Sequence, residues 1–191
     1  MFHVKHYNLL LIFLFCFDNI CTCNRYIVTW SGSEDSSHIN LYLCAHFFMV
    51  IFMINNILDL MYSAAMESFS NGEVPVVAVI VNNKTKEVVS VKGNNRQGSH
   101  FVIGHAESLS ILDVESVIGD WRLDGYDLYV SLEPCHMCIE VINESRLDNV
   151  FYICDGKSGN DLPSNFYKLD VSQVIYNKFS ELLTSFFNNM R

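Results

Sequence analysis

Positive charge is scarce in this chain. Twelve Lys and Arg stand against 21 Asp and Glu, a formal net charge of −9 over 191 residues. That balance runs against the basic surface that normally supplies most of a protein's grip on a nucleic-acid backbone. No uninterrupted apolar run reaches the about 18 residues that a bilayer-spanning helix needs, and no membrane is expected for residues 53–191. The seven cysteines are an odd number, and only one C-x-x-C occurs, Cys135 to Cys138. Beside a histidine motif, that spacing reads as metal binding rather than as part of a disulfide framework. Thiolate ligands fit a reduced, cytoplasmic compartment. Half of the residues are apolar, so a sizeable core can form, and the length suggests one domain with a possible appendage.

Residues 1–52 do not match the rest. Leu9 to Phe17 is an apolar run behind Lys5, similar to the centre of a signal peptide, but no small-residue cleavage site follows it. Leu41 to Ile54 is a second apolar run, interrupted by His46, with a Ser-rich stretch between the two. Three readings stay open: a signal or anchor, a disordered or loosely packed extension, and an over-called start with the native protein beginning at Met49 or Met53. The last is favoured, because a coherent helix begins at Met53. The expected division is therefore an extension, 1–52, and a domain, 53–191.

Within 53–191, apolar positions recur at helical spacing over Ile54 to Phe69 (Ile57, Leu58, Met61, Ala65) and predict an amphipathic helix. Val74 to Val81 and Glu87 to Val91 read as a hairpin around Asn82-Asn83-Lys84-Thr85. A polar loop, Gly93 to Gly104, precedes a helix from His105 to Ile118. Asp127 to Leu132 reads as a strand, Cys135 to Arg146 as a helix opened by Pro134, Val150 to Ile153 as a strand, and Val171 to Arg191 as a final helix. Strands alternating with helices imply an α/β layered fold with part of the sheet parallel.

Chemistry concentrates at His105, Glu107, Cys135 and Cys138, an H-x-E…P-C-x-x-C pattern. Zinc accepts His nitrogen and Cys sulfur in tetrahedral geometry, and catalytic sites use three protein ligands with the fourth position left for water. One His and two Cys make that count. Cys135 and Cys138, three apart on a helix, face the same way, and a helix N-terminus favours thiolate. Glu107 is expected beside the ion, moving a proton between zinc-activated water and the substrate. His136, between the two cysteines, reads as a spacer pointing away. Taken singly, His105 reads as a surface histidine and the cysteine pair as half a structural site or a redox pair. Redox chemistry, however, needs neither His105 nor Glu107, and no second C-x-x-C completes a four-cysteine site.

The same residues resemble the bacterial tRNA adenosine deaminases, zinc enzymes of the cytidine deaminase superfamily. The resemblance runs from about Met53 to Arg191. It is carried by Gly72-Glu73-Val74-Pro75-Val76, Asn95-Arg96, His105-Ala106-Glu107, Leu128 to Cys135, Asp155 to Gly159 and the Phe186-Phe187 tail. It implies a three-layer α/β/α fold with a mixed five-stranded sheet, one zinc per subunit, and a homodimer whose active site the partner subunit completes. The substrate would be the wobble adenosine of a tRNA anticodon loop, deaminated hydrolytically to inosine. It also implies substrate-binding positions at Asn95, Ala106, Pro134 and Val74, and RNA contacts at Lys157, Phe186 and Phe187. The chain departs from the family's pattern at Val77, Ile139, Glu140, Cys154 and Asn160-Asp161-Leu162-Pro163, and lacks a basic extension after the last helix. From Met53 on it carries ten Lys and Arg against eighteen Asp and Glu. A deaminase of a free base or nucleotide (guanine, cytidine or dCMP) shares every catalytic residue. A catalytically dead scaffold is the non-enzyme alternative, which the intact constellation disfavours.

Overall fold

The computed structural model describes residues 4–6, 15–17, 20–23, 26–29, 37–156 and 162–189, with side chains described from residue 49 onward. The chain divides into two units, Met1–Asn55 and Asn56–Arg191. In the first unit, β1 (Val4–His6), β2 (Phe15–Phe17), β3 (Ile20–Cys23) and β4 (Tyr26–Thr29) form an antiparallel sheet in the order β1-β4-β3-β2. Most of the apolar run from Leu9 lies outside the described residues; its end, Phe15–Phe17, is β2. The helix expected from Ile54 begins earlier, as α1 (Ser37–Ser70), and takes in the second apolar run.

The second unit is built on a five-stranded sheet. Its strands are β5 (Val77–Asn82), β6 (Val88–Gly93), β7 (Tyr126–Leu132), β8 (Asn149–Cys154) and β9 (Phe166–Lys168), in the order β6-β5-β7-β8-β9. The strand β5 is antiparallel to both neighbours, whereas β7, β8 and β9 run parallel, so the sheet is mixed, as expected. Val77 to Val81 are all buried, the pattern of a central strand covered on both faces. The covering helices are α1, α3 (Ala106–Ile118), α4 (His136–Ser145) and α5 (Gln173–Asn189); α2 (Arg96–Ser99) is a single turn in the loop after β6.

The start of β5 differs from the sequence expectation. Glu73 to Val76 lie outside the strand, and the Val76 amide turns back onto the Val74 carbonyl (2.7 Å). Pro75 offers no N–H to a ladder, so pairing begins only at Val77, whose amide donates to the Ser131 hydroxyl (3.0 Å). Val74 is thereby left as a turn residue at the mouth of the sheet.

Two sets of contacts hold the helices that matter. Tyr62 and Phe69 of α1 meet Phe179 and Phe186 of α5 edge-on, at centroid distances of 5.7 and 6.1 Å. By length and apolarity alone, Met49–Ser70 could cross a membrane, with a mean hydropathy of 1.5. Ile57, Leu58, Met61 and Ala65 on that segment are buried in the core of the second unit. On α3, Asp113 accepts from the Ser90 hydroxyl (2.8 Å) and pairs with Lys92 (2.8 Å), both on β6, while the Ser110 hydroxyl donates to Ser90 (3.1 Å). This polar seam, with Ser90 and Ser110 buried and the Lys92–Asp113 pair at its open edge, fixes α3 against β6.

Candidate metal and catalytic site

Two helix beginnings converge. His105 is the N-cap of α3, in extended conformation, and its carbonyl accepts from Leu109 (3.0 Å). Cys135 is the N-cap of α4, also extended, and its carbonyl accepts from Ile139 (2.9 Å). Cys135 follows Pro134 at the C-terminal end of β7, where parallel strands of α/β sheets present their sites. The positive ends of both helices therefore point to one place.

The donor atoms fit a metal. His105 Nδ1 lies 3.6 Å from Cys135 Sγ and 3.5 Å from Cys138 Sγ, and the sulfurs are 3.7 Å apart. Tetrahedral zinc, with Zn–S near 2.3 Å and Zn–N near 2.0–2.1 Å, sets sulfur–sulfur edges of about 3.8 Å and sulfur–nitrogen edges of about 3.6 Å. The three observed edges match, and the triad stands out among the described residues as a group able to hold an ion. Burial, then the Glu107 carboxylate and the Cys135 sulfur, push the Cys138 thiol up. The Cys138 thiol needs a cation to become thiolate, and a coordinating thiol is deprotonated outright. Burial, then the Arg96 charge, lower the His105 pKa, which keeps the imidazole in the neutral form that binds metal. His136 is exposed and stands outside the triad.

A cavity of about 240 Å³ opens against this triad. Glu107, Arg96 and Val74 line it with His105 and Cys135, as do Asn94, Glu73 and Glu133. Glu107 is 4% exposed, and burial raises its pKa against the opposing pull of its own backbone amide and the Cys138 thiol. A carboxyl poised to hold a proton beside a metal triad is the arrangement of a general acid–base.

The substrate positions expected from the sequence are placed unevenly. Val74 lines the cavity, and Ala106 and Pro134 are buried next to residues that line it. Asn95 is exposed and does not line the cavity; the asparagine that does is its neighbour Asn94, which is buried. Phe186 is a correction. It is buried against Phe69, so of the tail pair only Phe187, 52% exposed, presents a ring outward. Lys157 lies outside the described residues. The departures from the family's pattern at Val77, Ile139 and Cys154 are all buried and absorbed by the core.

Sequence reasoning passed over two carboxylates. Glu73 is buried, and its oxygens accept from the amides of Arg96 (3.0 Å) and Gly98 (2.7 Å), clamping α2 and its loop to the start of β5. Glu133 accepts from the Gly156 amide (3.0 Å) and ties the end of β7 to the loop after β8. Each acts on a partner 23 residues away, so local spacing gives no sign of it. Hydrogen bonds to charged groups contribute about 1.5–3 kcal/mol each. Glu73→Ala is expected to cost about 2 kcal/mol or more in urea unfolding and to raise KM through the loosened Arg96. A variant with wild-type KM would leave the clamp without a functional role.

The chain matches the model of the cytidine and deoxycytidylate deaminase zinc-binding region over residues 54–154. It is 34% identical over 134 residues to the tRNA-specific adenosine deaminase of Rickettsia bellii, covering 65% of this chain and 92% of that protein. The Bacillus subtilis tRNA-specific adenosine deaminase is 34% identical over 137 residues, covering 66% and 84%. Among solved structures, one from a study of A-to-I editing by tRNA:A34 deaminases at the wobble position superposes with a TM-score of 0.60 at 26% identity. That superposition covers 68% of this chain and 99% of the other. A guanine deaminase from Nitrosomonas europaea shares the fold at 14% identity, with a TM-score of 0.54, over 69% of this chain and 81% of its own.

Proposed function

Because the chain belongs to the cytidine and deoxycytidylate deaminase zinc-binding family, we propose that it hydrolyses the wobble adenosine of a tRNA to inosine, releasing ammonia. The observation that carries this reading is kinship with tRNA-specific adenosine deaminases over nearly their whole length, joined to an intact metal triad. Cavity size supports it. About 240 Å³ is less than the about 300–1,000 Å³ of pockets that enclose drug-sized ligands. It suits one base presented by a polymer better than a whole free nucleotide.

His105, Cys135 and Cys138 would hold the zinc. The chemistry supplied there is Lewis-acid: water is acidified towards a pKa of about 7. Glu107 accepts the proton that the attacking water gives up and delivers it to the purine ring nitrogen; it then takes the second proton from the new C6 hydroxyl and passes it to the departing amine, leaving the C6 carbonyl of inosine and ammonia. Burial suits it to both tasks, since a carboxyl with a raised pKa accepts and returns a proton readily. The base reaches the cavity by being splayed from the anticodon loop. Backbone amides at Ala106 and Cys135 orient it, and the Asn94-Asn95 pair supplies polar contacts to base or sugar. The same kinship supports a homodimer acting in the cytoplasm.

Incubation of the purified protein with tRNA, guanine, cytidine and dCMP tests the reading. Inosine is expected in tRNA, with no ammonia from the free compounds. Ammonia from guanine, cytidine or dCMP, with tRNA unchanged, would transfer the same catalytic residues to a small-molecule substrate.

A further inference from the structure

The loop from Arg96 to Gly104 joins β6 to α3 and combines two unlike ends. Its first residues line the cavity, and its tip, Phe101-Val102-Ile103, is apolar and exposed, with Phe101 at 64%. An exposed apolar tip normally carries a cost in solubility and marks a contact surface. Here the tip is also held. Glu73 clamps the Arg96 and Gly98 amides, the Phe101 amide donates to the Ser99 hydroxyl (3.3 Å), and the Gly104 amide donates to the Phe101 carbonyl (3.0 Å). Gly104 presses so closely on the loop's start that an added Cβ would lie 2.9 Å from the Arg96 Cα. The left-handed turn at His100 then sets the direction of the chain into Phe101.

The charges around the cavity sharpen what the tip could hold. Among the described residues, Arg96 is the one Lys or Arg that lines it. Lys92, Arg122 and Lys168 are paired with Asp113, Asp120 and Asp155. Arg146 and Lys178 lie over the Trp121 and Tyr62 rings. Lys84 and Lys86 sit in the turn after β5, at the strand end opposite the Val74–Val76 turn that lines the cavity. Among the described residues, cations free to meet phosphate near the cavity are therefore few. Stacking of a base on an aromatic ring does not depend on positive charge and holds single-stranded nucleic acid regardless of sequence.

We propose that Phe101 is the stacking platform for a base flanking the reactive adenosine, with Arg96 meeting the phosphate beside it. This rests on the RNA reading above and states how that RNA is held. Continuity of the tip with the cavity-lining Arg96 favours a nucleobase next to the reactive one as the occupant, and a second copy of the chain seated there is the outcome that the oligomeric state of Phe101→Ala reads.

The test uses the full chain with zinc and an anticodon stem-loop RNA. Phe101→Ala is expected to raise KM by about tenfold, with kcat, zinc content and thermal midpoint unchanged. Phe101→Trp should keep KM near wild type, and Phe101→Leu should not restore it. An abasic nucleotide next to the adenosine, tried on each side in turn, should weaken the wild type on one side and leave Phe101→Ala unaffected there. Equal abasic losses in both proteins, a Phe101→Leu variant equal to wild type, or monomers formed on Phe101→Ala would each overturn the platform. Wild type inactive on the RNA would instead overturn the substrate reading; an active wild type with an unaffected Phe101→Ala overturns only this inference.

Discussion

Glu107→Gln is expected to give a folded, zinc-loaded protein whose kcat on tRNA falls by about 10²–10⁴-fold. The substitution keeps the volume of a side chain that is 4% exposed, so no cavity opens in α3. It removes only the ability to take and return a proton. Burial already disfavours the charged form of Glu107, so a neutral amide there should hold or raise the thermal midpoint, the common trade between stability and activity at a reactive site. The triad of His105, Cys135 and Cys138 is untouched, so metal analysis should return one zinc per subunit. Three readings are taken together: kcat, zinc content and melting temperature. Lost kcat with lost zinc would make Glu107 a support for the metal rather than a proton carrier. Retained kcat would remove it from the chemistry altogether.

The zinc donors were legible because their geometry is local. An N-cap histidine and an i, i+3 cysteine pair carry their orientation in the spacing itself, and the strand-Pro-Cys order placed the pair at a strand end. Helices α4 and α5 and strands β7 and β8 announced themselves by their apolar spacing and bounding turns; α3 showed its bounds but not its face, since it buries Glu107, Ser108 and Ser110 and leaves Leu112 46% exposed. The unread parts are short or depend on distant partners. The single turn α2 and the three-residue β9 are too brief to show a period. The late start of β5 depends on Pro75 and the Ser131 hydroxyl, 54 residues from Val77. Phe186 and Phe187 are adjacent and chemically alike. Only the packing of α5 on α1 buries one and exposes the other. Asn94 and Asn95 are likewise equivalent in sequence, and the loop's hydrogen bonds decide which one faces the cavity.

Cys138→Ser is expected to abolish zinc retention and turnover together and to lower the thermal midpoint on the order of 10 °C. Cys138 is fully buried, and its thiol is pushed up by burial, by Glu107 and by the Cys135 sulfur. In the absence of a cation, then, the two sulfurs and the imidazole that join the N-termini of α3 and α4 make only weak contacts with one another. With zinc bound, the same atoms become ligands spanning the two helices, and metal at about a thousand times its Kd stabilises the folded state by about 4 kcal/mol. Serine keeps the size but is a poor zinc ligand, and it leaves two protein donors where a catalytic site needs three. The core of the second unit, where Ile57, Met61 and Ile80 are fully buried outside the donor triad, should keep the variant folded at room temperature. Chelation of the wild type should reproduce the shift in midpoint, and returning zinc should reverse it in the wild type and not in the variant. A variant that keeps stoichiometric zinc, or a wild type whose midpoint ignores the chelator, would show that the three donors lie at tetrahedral spacing for some reason other than metal.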